Sequence, residues 1–235
     1  MSEQSPRAWQ IVLAHIERAL RDGRLGPGDG LPSERDLAAE LGVARSSVRE
    51  ALRALEVMGL LRTASGSGPQ SGAILIATPG GGLSELMRLQ VAAQSFPIAD
   101  VVQTRLVLEE TVAATLASDP ARDTGDVHRV LDAMDAPALT APEFLVLDAR
   151  LHIALAEAAG NAVIAATMAG LRSSIESYVL DGAALITDWT EMADRLRAEH
   201  RALVAAIDAG DADGARALVR DHIIGYYQAS GLVTA

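Results

Sequence analysis

The 235-residue sequence contains no cysteine and no lysine, so all 20 of its basic residues are arginine. The absence of cysteine excludes disulfides, thiolate metal ligands and cysteine nucleophiles. The absence of lysine excludes a Schiff-base lysine and a P-loop lysine. Aromatic residues make up only 3% of the chain. We therefore expect an aliphatic core, and its richness in Ala and Leu favours helices.

Long hydrophobic runs are also missing from the sequence. No apolar segment approaches the roughly 20 residues that a membrane-spanning helix requires. The segment Met1–Arg7 is polar and does not resemble a signal peptide. These features predict a cytoplasmic protein with no membrane partner. The formal net charge of −11 argues, for the chain as a whole, against a nucleic-acid partner.

The charge is distributed unevenly along the chain. Residues 1–80 hold nine arginines and nine acidic residues, whereas the remaining residues hold eleven arginines and 22 acidic residues. The change falls at residues 77–82, a stretch with one proline and three glycines that is typical of a linker. We therefore predict a neutral domain over 1–76 and an acidic domain over 83–235.

Apolar periodicity and turn signals in the first domain predict three helices followed by a β-hairpin. The first helix spans about 6–22, and the second lies between Ser33, a predicted N-cap, and Gly42. The third spans about 45–58, and the two strands 60–63 and 73–76 flank a glycine-rich loop. This order of elements is that of a winged helix-turn-helix.

The third helix carries the predicted chemistry of this domain. A recognition helix places its N-terminal residues in the major groove, where an arginine can hold guanine with two hydrogen bonds. A glycine in the wing lets the backbone approach DNA closely. The candidate contacts to double-stranded operator DNA are Arg35, Arg45, Ser46, Ser47, Arg49 and Gly66. Periodicity alone also allows a solvated helix face or a protein-binding domain.

Two motifs in this domain resemble the DNA-binding domain of the GntR family. They read LPSERDL over 31–37 and GVARSSVREAL over 42–52. The resemblance covers about residues 6–76 and implies that the six candidate residues touch operator DNA. The sequence departs from the family at Ala44, where relatives often carry Ser or Thr, so no hydroxyl contact is expected there.

The second domain has helical periodicity throughout, which predicts an antiparallel bundle with short connections. The predicted helices span about 83–94, 98–118, 124–134, 142–159, 161–181, 188–209 and 212–229. The predicted fold class is therefore mainly α, with an N-terminal winged helix-turn-helix domain and a C-terminal all-α antiparallel helical bundle.

Three histidines and an aspartate of this bundle form a candidate metal site. Asp148 and His152 are four residues apart and share a helix face. His200 and His222 each lie eleven residues from the centre of the turn that joins the last two helices. In an antiparallel pair of helices they should therefore lie at the same height along the helix axes, next to each other. Such a set suits a divalent ion of the Zn, Ni or Mn type. Spacing alone leaves open that each of these histidines has only a structural role. For the remaining two histidines of the chain, His15 and His128, a structural role is the interpretation we favour.

The same residues resemble the FCD effector domain of the FadR subfamily. The motif reads DARLH over 148–152, AGN over 159–161, EH at 199–200 and DH at 221–222, and the resemblance covers about 83–230. It implies that Asp148 and the three histidines bind a metal. It also implies that Arg105 helps to clamp the carboxylate of a small organic-acid effector. A structural ion pair with Glu109, one turn further along the helix, is the alternative interpretation of Arg105. Asn161 and Arg172 are further effector-binding candidates.

The sequence as a whole predicts a ligand-responsive transcriptional regulator, not an enzyme. A homodimer would bind a palindromic operator, since a two-fold protein matches a two-fold site. Repression relieved by the effector is the expected mode. A metal-dependent hydrolase with a DNA-binding appendage is the alternative, but no motif such as H-E-x-x-H supports it. A DNA-packaging protein is a third possibility, against which the elaborate acidic domain argues.

Overall fold

The structure is a computed structural model that describes residues 7–64, 72–76 and 81–231. It divides into two compact units, Met1–Gly82 and Leu83–Ala235. The predicted fold class is confirmed, because a helical unit with a small hairpin precedes a unit that is helical in all its described elements. Within the described residues, no helix is both long and apolar enough to cross a membrane.

The first unit is a winged helix-turn-helix. Its elements are α1 (Ala8–Arg21), α2 (Glu34–Leu41), α3 (Arg45–Val57), β1 (Leu61–Ala64) and β2 (Gly72–Leu75). The strands pair antiparallel, with Leu61 opposite Leu75. Residues 65–71, which include the candidate residue Gly66, lie outside the described residues.

Local signals in the sequence determine the tight turn between α2 and α3. The Ser33 side chain caps α2 by accepting a hydrogen bond from the backbone N–H of Asp36. Gly42 ends that helix at φ 65°, a left-handed conformation that glycine adopts without a steric penalty. Val48 and Leu52 then hold α3 against the aliphatic core of the unit. As a result, the opposite face of α3 is exposed to solvent.

The second unit comprises seven helices in the part of the chain that the structure describes. They are α4 (Gly81–Ala92), α5 (Ile98–Ser118), α6 (Gly125–Ala133), α7 (Ala141–Ala158), α8 (Ala162–Ala183), α9 (Trp189–Asp208) and α10 (Ala212–Ala229). Short turns at Gly160 and Gly210 join α7 to α8 and α9 to α10, and the helices of each pair pack together. Helix α5 packs along α10 and also contacts α7, α8 and α9. Five helices therefore line one interior, and its centre contains charged residues.

Candidate metal centre, cavity and nucleic-acid interface

The four predicted metal ligands meet in the interior of the second unit. One ligand atom from each of Asp148, His152, His200 and His222 lies within 4.8 Å of all the others. The three histidines are buried, and the Asp148 side chain is 13% exposed. The antiparallel pairs α7–α8 and α9–α10 bring these residues together from three different helices.

The distances between the donor atoms fit a single divalent ion. His222 Nε2 lies 3.2 Å from His200 Nε2 and 3.3 Å from His152 Nε2. Asp148 Oδ1 lies 3.1 Å from His200 Nε2 and 3.7 to 3.8 Å from the other two nitrogens. Four tetrahedral ligands at about 2.0–2.2 Å from a zinc ion stand roughly 3.3–3.6 Å apart. The donor set therefore has the size of a metal site.

Two carboxylates fix the orientation of two of the three imidazole rings. Glu109 Oε2 contacts His152 Nδ1, and Glu199 Oε2 lies 2.8 Å from His222 Nδ1. A carboxylate only accepts, so each Nδ1 carries the proton and each Nε2 presents a lone pair to the centre. Converging lone pairs in a buried place repel one another unless a cation lies between them. This orientation is the second observation that fits a metal.

The ionisation states of the donors also suit metal binding. Burial lowers the pKa of His200 and of His222, so both rings are neutral near pH 7. Burial by itself would raise the pKa of Asp148, but the guanidinium group of Arg172 holds it well below its usual range. Neutral imidazoles and an ionised carboxylate are the forms that bind a divalent ion.

Two buried arginines lie next to the donor set, and each already has an acidic partner. Arg105 donates through Nε to Glu109 Oε1 at 2.8 Å and through Nη1 to the Tyr227 hydroxyl at 2.6 Å. Arg172 donates through Nη2 to Asp148 Oδ2. The positive charges of Arg105 and Arg172 are thus balanced by Glu109 and Asp148, the acidic residues that they contact. The ion pair between Arg105 and Glu109, the alternative interpretation of Arg105, is present.

A cavity of about 470 Å³ opens beside this centre. Arg105, Asp148, Arg172 and His222 line it together with aliphatic residues of α7, α8 and α10. Asn161, the third effector-binding candidate, is not among the lining residues; its side chain caps α8 by accepting hydrogen bonds from two backbone N–H groups. The structure thus brings two of the three effector-binding candidates to the cavity.

Sequence reasoning missed three contacts that complete the centre. Glu109 contacts His152 from α5, Glu199 is adjacent to His200 but contacts His222 on the next helix, and Arg172 reaches Asp148 from α8. Arg172 was a candidate for binding an effector, not for holding a metal ligand. All three contacts cross between helices, so the spacing of residues along the chain does not predict them.

In the first unit, the candidate DNA contacts on α3 surround an acidic residue of α2. Arg49 donates through Nε and Nη2 to the two carboxylate oxygens of Glu34, at 3.2 and 3.0 Å. Arg45 Nη2 lies 3.8 Å from the same carboxylate. The hydrogen bond from Arg49 lowers the pKa of Glu34 and keeps it ionised. The two arginines are therefore held side by side at the N-terminal end of α3.

The other described candidates lie in the first turns of α2 and α3. Ser46 is exposed and Ser47 is half-buried in the first turn of α3. The Arg35 side chain is 78% exposed and contacts only its neighbour Asp36, at 3.1 Å, among the ion pairs of the described residues. Exposed arginines and hydroxyls beside a helix N-terminus are the groups that reach phosphates and base edges.

A winged helix-turn-helix unit followed by a helical unit that contains a cavity is the arrangement of a class of transcriptional regulators. Comparison with known families agrees. Residues 10–69 match the bacterial regulatory proteins of the gntR family, and residues 100–225 match the FCD domain. The chain belongs to the GntR family and carries an FCD domain, as the sequence motifs predicted. Members of this class are regulators of transcription and not enzymes.

Individual relatives and a solved structure support this assignment. The chain is 31% identical over 222 residues to a putative L-lactate dehydrogenase operon regulatory protein of Escherichia coli K12, covering 93% of this chain and 84% of that protein. It is 27% identical to the transcriptional regulator LutR of Bacillus subtilis, covering 87% and 92%. A GntR structure from Streptococcus agalactiae shares the fold with a TM-score of 0.69 at 24% identity, covering 94% of this chain and 99% of that one.

Proposed function

We propose that this regulator is a homodimer of the FadR subfamily that represses transcription until a small carboxylate binds beside a divalent metal. In this proposal residues 1–76 bind a palindromic operator and 83–235 bind the effector and dimerise, with 77–82 as the linker. The metal ligands are Asp148, His152, His200 and His222. Arg105 and Arg172 bind the effector, and Asn161 acts only through the α8 N-terminus.

The main support for joint binding of a metal and a carboxylate is the balance between the buried arginines and carboxylates at the metal centre. Arg105 and Arg172 are already neutralised by Glu109 and Asp148, so the centre alone has no surplus charge to attract an anion. A divalent ion would add two positive charges inside a low-dielectric interior that opens onto the cavity. An anionic ligand beside the arginines would compensate them. Metal and carboxylate should therefore bind with positive cooperativity.

In the proposed effector site, side chains of this chain hold the metal and bind the carboxylate. The metal, when bound, supplies a Lewis-acidic charge, and the four donors hold it in the interior. Arg172 and Arg105 present guanidinium groups that match a carboxylate. The named function of the E. coli relative, regulation of an L-lactate dehydrogenase operon, is consistent with a carboxylate effector.

The arrangement of α2 and α3 supports the DNA-binding part of the proposal. Arg45, Ser46, Ser47 and Arg49 would contact base edges or phosphates from α3, Arg35 a phosphate from α2, and Gly66 the groove from the wing. A first unit without net charge should bind non-specific DNA weakly, because that binding depends on the number of neutralised phosphates. A two-fold dimer would present two recognition helices to a palindromic site.

The central test combines metal, carboxylate and DNA. A preferred duplex is selected from a random pool with the full-length protein, and its affinity is measured for the chelator-treated and the Zn²⁺-loaded protein, with and without L-lactate or hexanoate. We expect the carboxylate to weaken DNA binding in the Zn²⁺-loaded protein only. Selection of no preferred sequence would contradict the DNA-binding proposal, and equal carboxylate effects with and without Zn²⁺ would contradict the role of the metal.

The contact between Glu199 and His222 provides a milder test of the metal centre. In Glu199→Ala we expect Zn²⁺ affinity to fall by about 10- to 100-fold, because such outer partners orient the ligand ring. The Glu199 side chain is 30% exposed, so its removal should leave the fold intact. Glu157→Ala is the control, since Glu157 is an exposed partner of Arg150 on α7. Calorimetric titration with Zn²⁺ measures both variants, and equal affinities would reject the orienting role.

A further inference from the structure

Most of the charged side chains that line the cavity beside the metal centre lie close together, in a part that we call the charged end; Glu176 is the exception. Arg105, Asp148, Arg172 and His222 line that end, and they are joined by direct contacts or by Glu109. The remaining walls are mainly aliphatic, with Leu145, Val146, Ile175, Val179, Leu180 and Ile223 among them. A ligand that fills the space therefore needs one polar end and a larger apolar part.

The directions of α7 and α8 show how far the apolar part extends. These helices form an antiparallel pair around Gly160, and the contact between Asp148 and Arg172 joins positions equally distant from that glycine. The lining runs from Ala169 to Leu180 on α8 and from Ile153 back to Pro142 on α7, so the larger part of it lies beyond Arg172 and Asp148 on the side away from Gly160. At about 1.5 Å per residue, the walls from Arg172 to Leu180 and from Asp148 to Pro142 run roughly 9–12 Å in the same direction.

The apolar part of the described cavity lining contains no cationic side chain that could bind a second carboxylate. The cationic residues that line the described cavity are Arg105 and Arg172, both at the charged end. One turn beyond Arg172 the wall carries Glu176, which is exposed and acidic. If one carboxylate of a dicarboxylate bound to the two arginines, its other carboxylate would lie close to the negatively charged side chain of Glu176. The lining therefore disfavours diacids.

We propose that the effector is a monocarboxylate with an apolar alkyl or aryl tail, of the order of ten non-hydrogen atoms. The cavity holds roughly 15 water-sized volumes of about 30 Å³ each, and a three-carbon hydroxy acid would leave most of its apolar wall in contact with water. This inference rests on the proposed carboxylate site and adds its ligand class. The carboxylate lies at Arg105 and Arg172, and the tail lies between α7, α8 and α10.

A chain-length series tests the apolar tail. Acetate, butanoate, hexanoate and octanoate are titrated calorimetrically into the full-length Zn²⁺-loaded protein. Each additional methylene that is buried against the apolar wall should raise the affinity by about fourfold. The increase should stop once the alkyl chain is longer than the wall. An affinity that stays flat from acetate to octanoate would overturn the inference while leaving the carboxylate site in place. If no carboxylate binds at any length, the proposed effector function itself fails, together with this inference.

A matched pair of ligands and of variants tests the single charge. Octanedioate differs from octanoate only in its second carboxylate, and we expect it to bind at least tenfold more weakly. In Glu176→Arg this preference should shrink by about fivefold or more, because the second carboxylate then gains a cation in place of an acid. Asp181→Arg makes the same charge change on an exposed position of α8 outside the lining and should leave the preference unchanged. Equal binding of the two ligands to the original protein would refute the single-charge assignment.

Discussion

In the His222→Ala variant we expect Zn²⁺ affinity to fall by more than the roughly 10- to 100-fold that loss of an outer-shell partner costs. His222 Nε2 lies within 3.3 Å of the two other histidine nitrogens, so its removal opens one side of the donor set. The affinity is measured by competition with a chromophoric chelator. An unchanged affinity in this variant would reject the site.

The design separates metal loss from damage to the fold. His222 is buried, so truncation to alanine leaves a cavity and lowers the stability of the metal-free protein as well. The rise in melting temperature on adding Zn²⁺ is therefore compared within each variant, because a ligand at 100 times its Kd stabilises the folded state by about 2.7 kcal/mol. His222→Gln keeps most of the volume and should lose the same rise. His128→Ala should keep it, since His128 is an exposed partner of Asp208.

The second large effect is expected in Arg49→Ala, which should lose specific DNA binding. A bidentate contact between arginine and guanine contributes about 1–3 kcal/mol. Because a dimer uses two copies, affinity for a selected palindromic duplex should fall by roughly 30-fold or more. The measurement is fluorescence anisotropy at two salt concentrations, which distinguishes a base contact from a phosphate contact through the salt dependence.

Arg21→Ala is the matched control for Arg49→Ala. Both arginines are exposed on helices of the first unit, and both pair with a glutamate, Arg21 with Glu17 at 3.9 Å and Arg49 with Glu34 at 3.0 Å. Each exposed pair contributes at most about 1 kcal/mol to folding, so neither variant should unfold. If Arg49→Ala binds the selected duplex as tightly as Arg21→Ala, α3 is not the recognition helix.

The local architecture of the first unit could be predicted because its signals are close in sequence. Ser33 and Asp36 are three residues apart and form the predicted helix cap. Gly42 ends α2 where the pattern indicated. Such interactions involve neighbours within one turn, so residue type and spacing contain most of the information about them. The ion pair of Glu34 with Arg49 spans two helices and was not predicted.

The metal centre was predictable only in part. Asp148 and His152 share a helix face by their spacing, and His200 and His222 are level because they are equally distant from one turn. The contacts of Glu109 with His152 and of Glu199 with His222 depend on how α5, α7, α9 and α10 pack. Two more acidic residues among 31 give no signal in the sequence that they orient imidazoles.

By itself, the sequence determined the class of this protein. Helical and turn periodicity, the two family motifs and the split of charge along the chain identify a DNA-reading unit and a helical effector unit. Only the tertiary structure decided that the two buried arginines are paired with carboxylates, that four metal-binding side chains converge, and that a largely aliphatic cavity opens beside them. The physical reason is that local patterns depend on backbone geometry within a few residues. Charge balance and cavity shape depend on side chains brought together from five helices.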